Sequence, residues 1–179
     1  TFTITGTNDV PVVSGNVTGA ATEDGATVTL NALANASDVD DGTTPTVTDV
    51  PGVLPAGVTY NAATHEFTLD PSNAAYQHLA AGEPLLVTVT YGVFDGIATT
   101  PATVSFTVTG ANDGPFVVAG GTSTSAFVEG ATGTQNLSST GSFIVDDIDD
   151  SNTLTASLSA ATTVWTGGAL EPALQTALE

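Results

Sequence analysis

The chain has 179 residues and not one lysine or arginine, so its 19 aspartates and glutamates leave a formal net charge of -19 with almost no internal counter-charge. Without cationic side chains, phosphate backbones and anionic lipid headgroups are repelled over about 8 Å at physiological ionic strength, which argues against nucleic acid and membrane surfaces as partners. Cysteine is absent too, excluding disulfides and thiolate metal sites as staples. No apolar run approaches the ~18 residues of a membrane span. The N-terminus has no charged segment leading into a short apolar one, so no secretion signal is expected there. Catalytic side chains are equally scarce. With no Cys, Lys or Arg, and with His65 and His78 in separate segments, neither a Ser-His-Asp arrangement nor a histidine metal site can be picked out, and no enzyme is expected.

What remains is a chain that can still bury a core. Hydrophobic residues make up 41 % against 11 % charged, which sets it apart from acidic disordered segments. Its 33 threonines, abundant valine, 19 glycines and 9 prolines favour strands broken by turns. Val28 and Leu30 alternate with threonine, as do Phe67 and Leu69 with their neighbours. Two longer runs are stronger: Val87, Val89, Tyr91 and Val93 form one apolar face, and Val104, Phe106 and Val108 another. Half-buried strands at this density predict an all-β, two-sheet sandwich of about 100 residues. Only residues 74–81 and 169–178 have helical composition.

The chain also repeats itself. FTITGTNDVPVV at 2–13 returns as FTVTGANDGPFV at 106–117, 104 residues later. After each copy comes an acidic turn, TEDG with Glu23 and FVEG with Glu129, and then a second one, DVDDG from Asp38 and DIDDS from Asp147. Three ordered elements at a domain-sized period predict tandem units. Residues 1–9 read as the last strand and linker of a preceding unit and 10–113 as a complete one. Residues 114–179 read as an incomplete unit with early strands only, either cut from a longer protein or completed by strands from another chain.

Asp38, Asp40 and Asp41 crowd one turn, and like charges so close repel unless a cation sits among them. Asp95 ends the long valine run, and Asn8 and Asp9 lie in the linker before Pro11. Calcium takes six to eight oxygens from carboxylates, amide side chains and carbonyls, a donor set these groups match in kind. Taken singly, each is also an ordinary turn former.

The linker FTVTGANDGP, the TEDG and DVDDG turns and the VFDG strand end together resemble the VCBS and cadherin-like tandem repeats of bacterial RTX-type adhesins exported by type I secretion. The resemblance covers essentially the whole chain. It implies an Ig-like or cadherin-like Greek-key β-sandwich in tandem repeats, with calcium at the joint between successive units, and assigns roles by position. Glu23 would reach forward to Asn112 and Asp113, where Asp147 and Asp149 arrive from the second unit. Asp38, Asp40 and Asp95 would serve the preceding joint with Asn8 and Asp9. It further implies an extracellular or cell-surface location and a role as a calcium-stiffened spacer in adhesion or biofilm, with neighbouring repeats as the partners. Two features depart from the family. Gly6 and Gly110 stand where it carries a further aspartate, and the acidic cluster of its mid-domain loop is missing, which together imply fewer ions per joint, down to one. The GGxGxD repeats of secreted toxins are absent as well, so a β-roll is not expected.

Two other readings stay open. A carbohydrate-binding sandwich would present aromatics to glycans, although Trp165 is the sole tryptophan and sits in an apolar stretch. A filament subunit would complete its second unit by strand complementation with another copy. Asp70-Pro71 raises self-cleavage, but TLDPSN also reads as an ordinary exit from a strand.

Overall fold

The computed structural model describes residues 1–120, 143–150, 153–155 and 157. Glu129, Trp165 and the segment 169–178 lie outside the described residues.

Alternation drives the two central strands. β8 (Pro84–Phe94) and β9 (Thr99–Thr109) pair antiparallel along their whole lengths, from Pro84 opposite Thr109 to Phe94 opposite Thr99. Their inward residues Val87, Val89, Tyr91, Val93, Val104, Phe106 and Val108 are all buried. Pro101 lacks an amide hydrogen and is tolerated because β9 has a second neighbour only from Val104 onward. That neighbour is β2 (Val17–Thr22), which runs parallel to it. β5 (Thr46–Thr48) closes the other side, giving the sheet order β2-β9-β8-β5.

Facing this sheet is a second one of order β3-β7-β6, built from β3 (Val28–Asn31), β6 (Val58–Asn61) and β7 (Glu66–Leu69), all antiparallel. Phe67 and Leu69 project from it into the core, and Tyr60, Phe67 and Tyr91 stack with ring centroids 4.7 and 5.3 Å apart. Gly19 lets β2 approach the second sheet: a Cβ there would stand 3.1 Å from Leu30 and Val28. The chain crosses between these two sheets from β2 to β3, from β3 to β5, from β5 to β6 and from β7 to β8. The expected all-β, Ig-like sandwich is therefore present.

One buried polar contact ties the layers together. The Tyr91 hydroxyl donates to the Ala32 carbonyl at 2.6 Å. Tyr91→Phe should cost about 1–3 kcal/mol by stranding that acceptor in the core, read as a lower urea midpoint at unchanged slope.

The first strand is short, β1 (Val12–Val13), and pairs with β4 (Ala36–Ser37), Val12 opposite Ser37. This pairing recurs in the second unit. β10 (Phe116–Gly120) pairs with β11 (Phe143–Asp146), Phe116 opposite Asp146 and Val117 opposite Val145. The sequence repeat thus corresponds to a repeated register. Its first copy lies in a different setting. Phe2 and Ile4 are fully exposed, whereas Phe106 and Val108, 104 residues on, are completely buried.

Residues 74–81 form no helix. Asn73, Tyr76 and Leu79 each donate a backbone hydrogen bond to the carbonyl three residues earlier, producing a chain of tight turns. The Asn73 side chain caps the Ala75 amide at 3.0 Å, and Gly82, at φ 81°, ends the segment. Successive three-residue turns put Tyr76 and Leu79 on the same inward side, and both are buried. No described helix is long and apolar enough to cross a membrane.

Candidate functional site

Each end of the sandwich carries a joint, and the two are built alike. At the first, Asp9 donates its amide to Asp40 Oδ2 at 2.9 Å, and the Asp40 amide donates to Asp38 Oδ1 at 2.9 Å. At the second, Asp113 donates to Asp149 Oδ2 at 3.0 Å, and Asp149 to Asp147 Oδ1 at 3.1 Å. Both linker asparagines fold back alike, Asn8 onto the Asp9 carbonyl at 2.8 Å and Asn112 onto the Asp113 carbonyl at 2.5 Å. The DxDD turn therefore holds the linker amide with its third residue and braces that residue with its first.

At the first joint the linker is anchored by Pro11, which is fully buried and whose carbonyl accepts from the Thr100 hydroxyl at 2.6 Å. Asp95 joins from the end of β8: its Oδ2 accepts from the Asn8 amide at 3.0 Å, and its Oδ1 accepts from the Ile97 and Ala98 amides at 2.6 Å each. The Ala98 amide, and after it the Asn8 side chain, hold this carboxyl below its usual range. Asp38 Oδ2 is buried with no hydrogen-bond partner.

The second joint is more enclosed. Glu23 leaves β2, is only 3 % exposed, and accepts the Ala111 amide on Oε2 at 2.9 Å. Its Oε1 is buried without a hydrogen bond, and so is Asp113 Oδ2. Burial raises the Glu23 carboxyl above its ordinary value, the Ala111 amide opposes this, and the charges of Asp113, Asp24 and Asp149 add to the rise. Asp113 is raised in the same way, first by burial and then by Asp149, Asp24 and Asp147. Five carboxylates from two units thus share one electrostatic environment, with no cationic side chain anywhere in the sequence to balance them.

All ten anticipated oxygen-bearing residues fall at these two joints. Asn8, Asp9, Asp38, Asp40 and Asp95 gather at the first, and Glu23, Asn112, Asp113, Asp147 and Asp149 at the second. Sequence reasoning missed Asp24. It sits beside Glu23 in the TEDG turn at φ 57°, and Gln77 donates to its Oδ1 at 2.9 Å. Its adjacency to Glu23 was the available signal. A second overlooked contact is the Asp150 amide, which donates to the His78 carbonyl at 2.8 Å and docks the second unit's acidic turn onto the chained turns of the first.

The departure at Gly110 has a physical cause. A Cβ there would stand 2.6 Å from the Leu79 carbonyl oxygen and closer still to that of Ala80, so the family's aspartate cannot be housed. Among the described residues, no three carboxylates or imidazoles are disposed as a finished metal cage. The case for a cation therefore rests on the unpartnered buried oxygens and the unbalanced charge.

Against known protein families, the model of the bacterial Ig domain matches residues 8–107, more than half of the chain. The chain belongs to the bacterial Ig domain family. The match begins at the Asn8 linker and ends within β9, so it coincides with the sandwich described above. Comparison with curated proteins found no match. Bacterial Ig domains are structural modules typical of surface and extracellular proteins.

Proposed function

We propose that this bacterial Ig domain is a calcium-stiffened spacer of VCBS or cadherin-like type, part of a surface or secreted adhesin in which successive units are locked at a fixed angle. The observation that carries this reading is Glu23. It is a nearly fully buried carboxylate of one unit with one oxygen tied to the linker and the other unpartnered, beside Asp113 and Asp149 of the joint. An uncompensated buried carboxylate is costly, and a hard cation is the partner that this donor set accepts.

Glu23, Asp113, Asp147 and Asp149 would hold the ion, and the Asn112 side chain and linker carbonyls offer oxygen donors of the kind calcium accepts. The bound cation supplies positive charge that offsets the carboxylate repulsion. The chain's own residues do the rest. Glu23 fixes the linker to the first unit through Ala111. Asp149 fixes the Asp113 amide to the second unit, and Asp150 closes the gap to His78. With both units gripping the same short linker, bending requires these bonds to break together. A calcium affinity of about 10⁻⁴ to 10⁻³ M, usual for extracellular modules, would keep the joint loose in a low-calcium cytoplasm and stiffen it after export.

Isothermal titration of the chain with calcium should give saturable binding in that range. Small-angle scattering should then show a narrower distribution of maximum dimensions in calcium than in chelator. Asp113→Asn combined with Asp149→Asn should abolish the tightest site. Titration heats indistinguishable from buffer would sink the proposal.

A further inference from the structure

The long strand β8 is covered unequally. β9 pairs with all of it, but β5 meets it only from Gly92 to Phe94. Among the described residues, no strand pairs with residues 84–91 on the β5 side. That flank opens onto a slot of about 290 Å³, lined by Leu85, Leu86, Val87 and Thr88 on one wall and by Ala56 and Tyr76 on the other. Side chains alternate between the faces of a strand, so four consecutive residues can line one slot only along the backbone edge. The slot therefore runs along the β5-side edge of β8, where no described strand takes up the main chain. Proteins usually blunt such edges with charges or bulges, yet residues 85–91, LLVTVTY, contain neither charge nor proline. Leu86 is 64 % exposed.

The surroundings select the occupant. Glu83 sits at one end of the edge. At the other, an Asp49 carboxylate oxygen lies 2.8 Å from where a Cβ on Gly92 would stand. Asp70 is close enough to Tyr76, on the far wall, to push its phenol up, after burial has done so. A second copy of this chain would bring another -19 charge and an equally acidic edge, so pairing β8 with β8 is opposed electrostatically. A basic strand meets no such opposition. We propose that the β8 edge between Leu85 and Tyr91 is a strand-addition site for an extended basic peptide segment of another protein. One aliphatic side chain of that segment would fill the slot, and its lysine or arginine ends would face Glu83 and Asp49.

The test uses the full chain and a synthetic peptide of about nine residues, alternating valine and threonine around a central leucine, with two lysines at each end. Backbone amide resonances of Leu85 to Tyr91 should shift saturably. Affinity should fall by at least about tenfold between roughly 20 and 500 mM salt. Replacing the terminal lysines by glutamates, or methylating the central amide, should remove binding. Ala75→Trp, at a position that also lines the slot, should weaken binding at least about tenfold while the rest of the spectrum stays in place. If that variant does not fold, Ala56→Leu fills the same slot and is read identically. Shifts confined to the acidic joints, equal binding of the glutamate-ended peptide, or unaltered affinity in a folded slot-filling variant would each overturn the proposal.

Discussion

In chelator the Glu23→Gln variant is expected to unfold at a higher temperature than the unaltered chain, and in about 10 mM calcium at a lower one, so that the two stability curves cross as calcium is added. An ion that binds only the folded state contributes RT ln(1 + [L]/Kd). For affinities of about 10⁻⁴ to 10⁻³ M this is roughly 1.4–2.7 kcal/mol, or a rise of roughly 6–20 °C for a domain of this size. Glutamine keeps an oxygen for the Ala111 amide while removing a buried charge that Asp113, Asp24 and Asp149 oppose. The apo state should therefore gain, and the calcium response should shrink. Acidification offers an independent check on the apo protein. Glu23 and Asp113 carry carboxyl pKa values raised by folding, so the folded state holds their protons more tightly than the unfolded chain does. Their unfavourable contribution is fully present above the folded values and is relieved as pH falls toward the ordinary carboxylate range near pH 4. In chelator, the unfolding midpoint should thus rise between neutrality and about pH 5. Asp95 acts in the opposite sense. Its lowered pKa supports the fold above the unfolded value and ceases to do so at more acid pH, which bounds the rise from below. A midpoint that is flat in both calcium and pH would mean that the joint carboxylates are solvated and uncoupled.

How far these features could be read beforehand depends on which signals are local. β3, β7, β8 and β9 were legible because their side chains alternate, and alternation reports a half-buried strand wherever it lies. β2 was not, because VTGAAT is too small and polar to show a pattern. Its place is set by Gly19 fitting under Leu30 and Val28, a long-range contact with no local signature. The composition of residues 74–81 suggested a helix. Tertiary packing of Tyr76 and Leu79, with the Asn73 cap, selected three-residue turns instead. The joints were legible in outline because the repeat displayed their parts in order, and the structure gathers those parts at both ends of the sandwich. Asp24 and the His78 carbonyl were missed because each acts through the fold. Asp24 adopts a left-handed backbone that turns it toward Glu23's neighbours, and His78 contributes a main-chain atom that carries no sequence information.

Gly110 and Gly6 occupy equivalent places 104 residues apart, which makes them a matched pair for testing how the linker is held. Gly110 donates its amide to the Glu83 carbonyl at 2.8 Å and accepts the Gly82 amide at 2.9 Å, so two main-chain bonds clamp the linker to the turn after Leu79. A methyl group at this position would press on the backbone carbonyls of Leu79 and Ala80, which cannot swing aside as a flexible side-chain end would. Relief requires the linker to lift, loosening both bonds and drawing the next residue, Ala111, away from Glu23 Oε2. Gly110→Ala is therefore expected to cost about 1–3 kcal/mol, the usual range for overpacking. Because the shift propagates to Ala111, it should also weaken calcium binding in the same titration. Gly6→Ala should change neither, since a Cβ there meets nothing within 4 Å. Calorimetry on the two variants separates a strained clamp from a generic intolerance of glycine replacement in the linker. Equal effects would remove the clamp from the account of the joint. A loss confined to Gly110→Ala would tie the stiffness of the joint to the backbone pairing of residues 82–83 with residue 110, upstream of any ion.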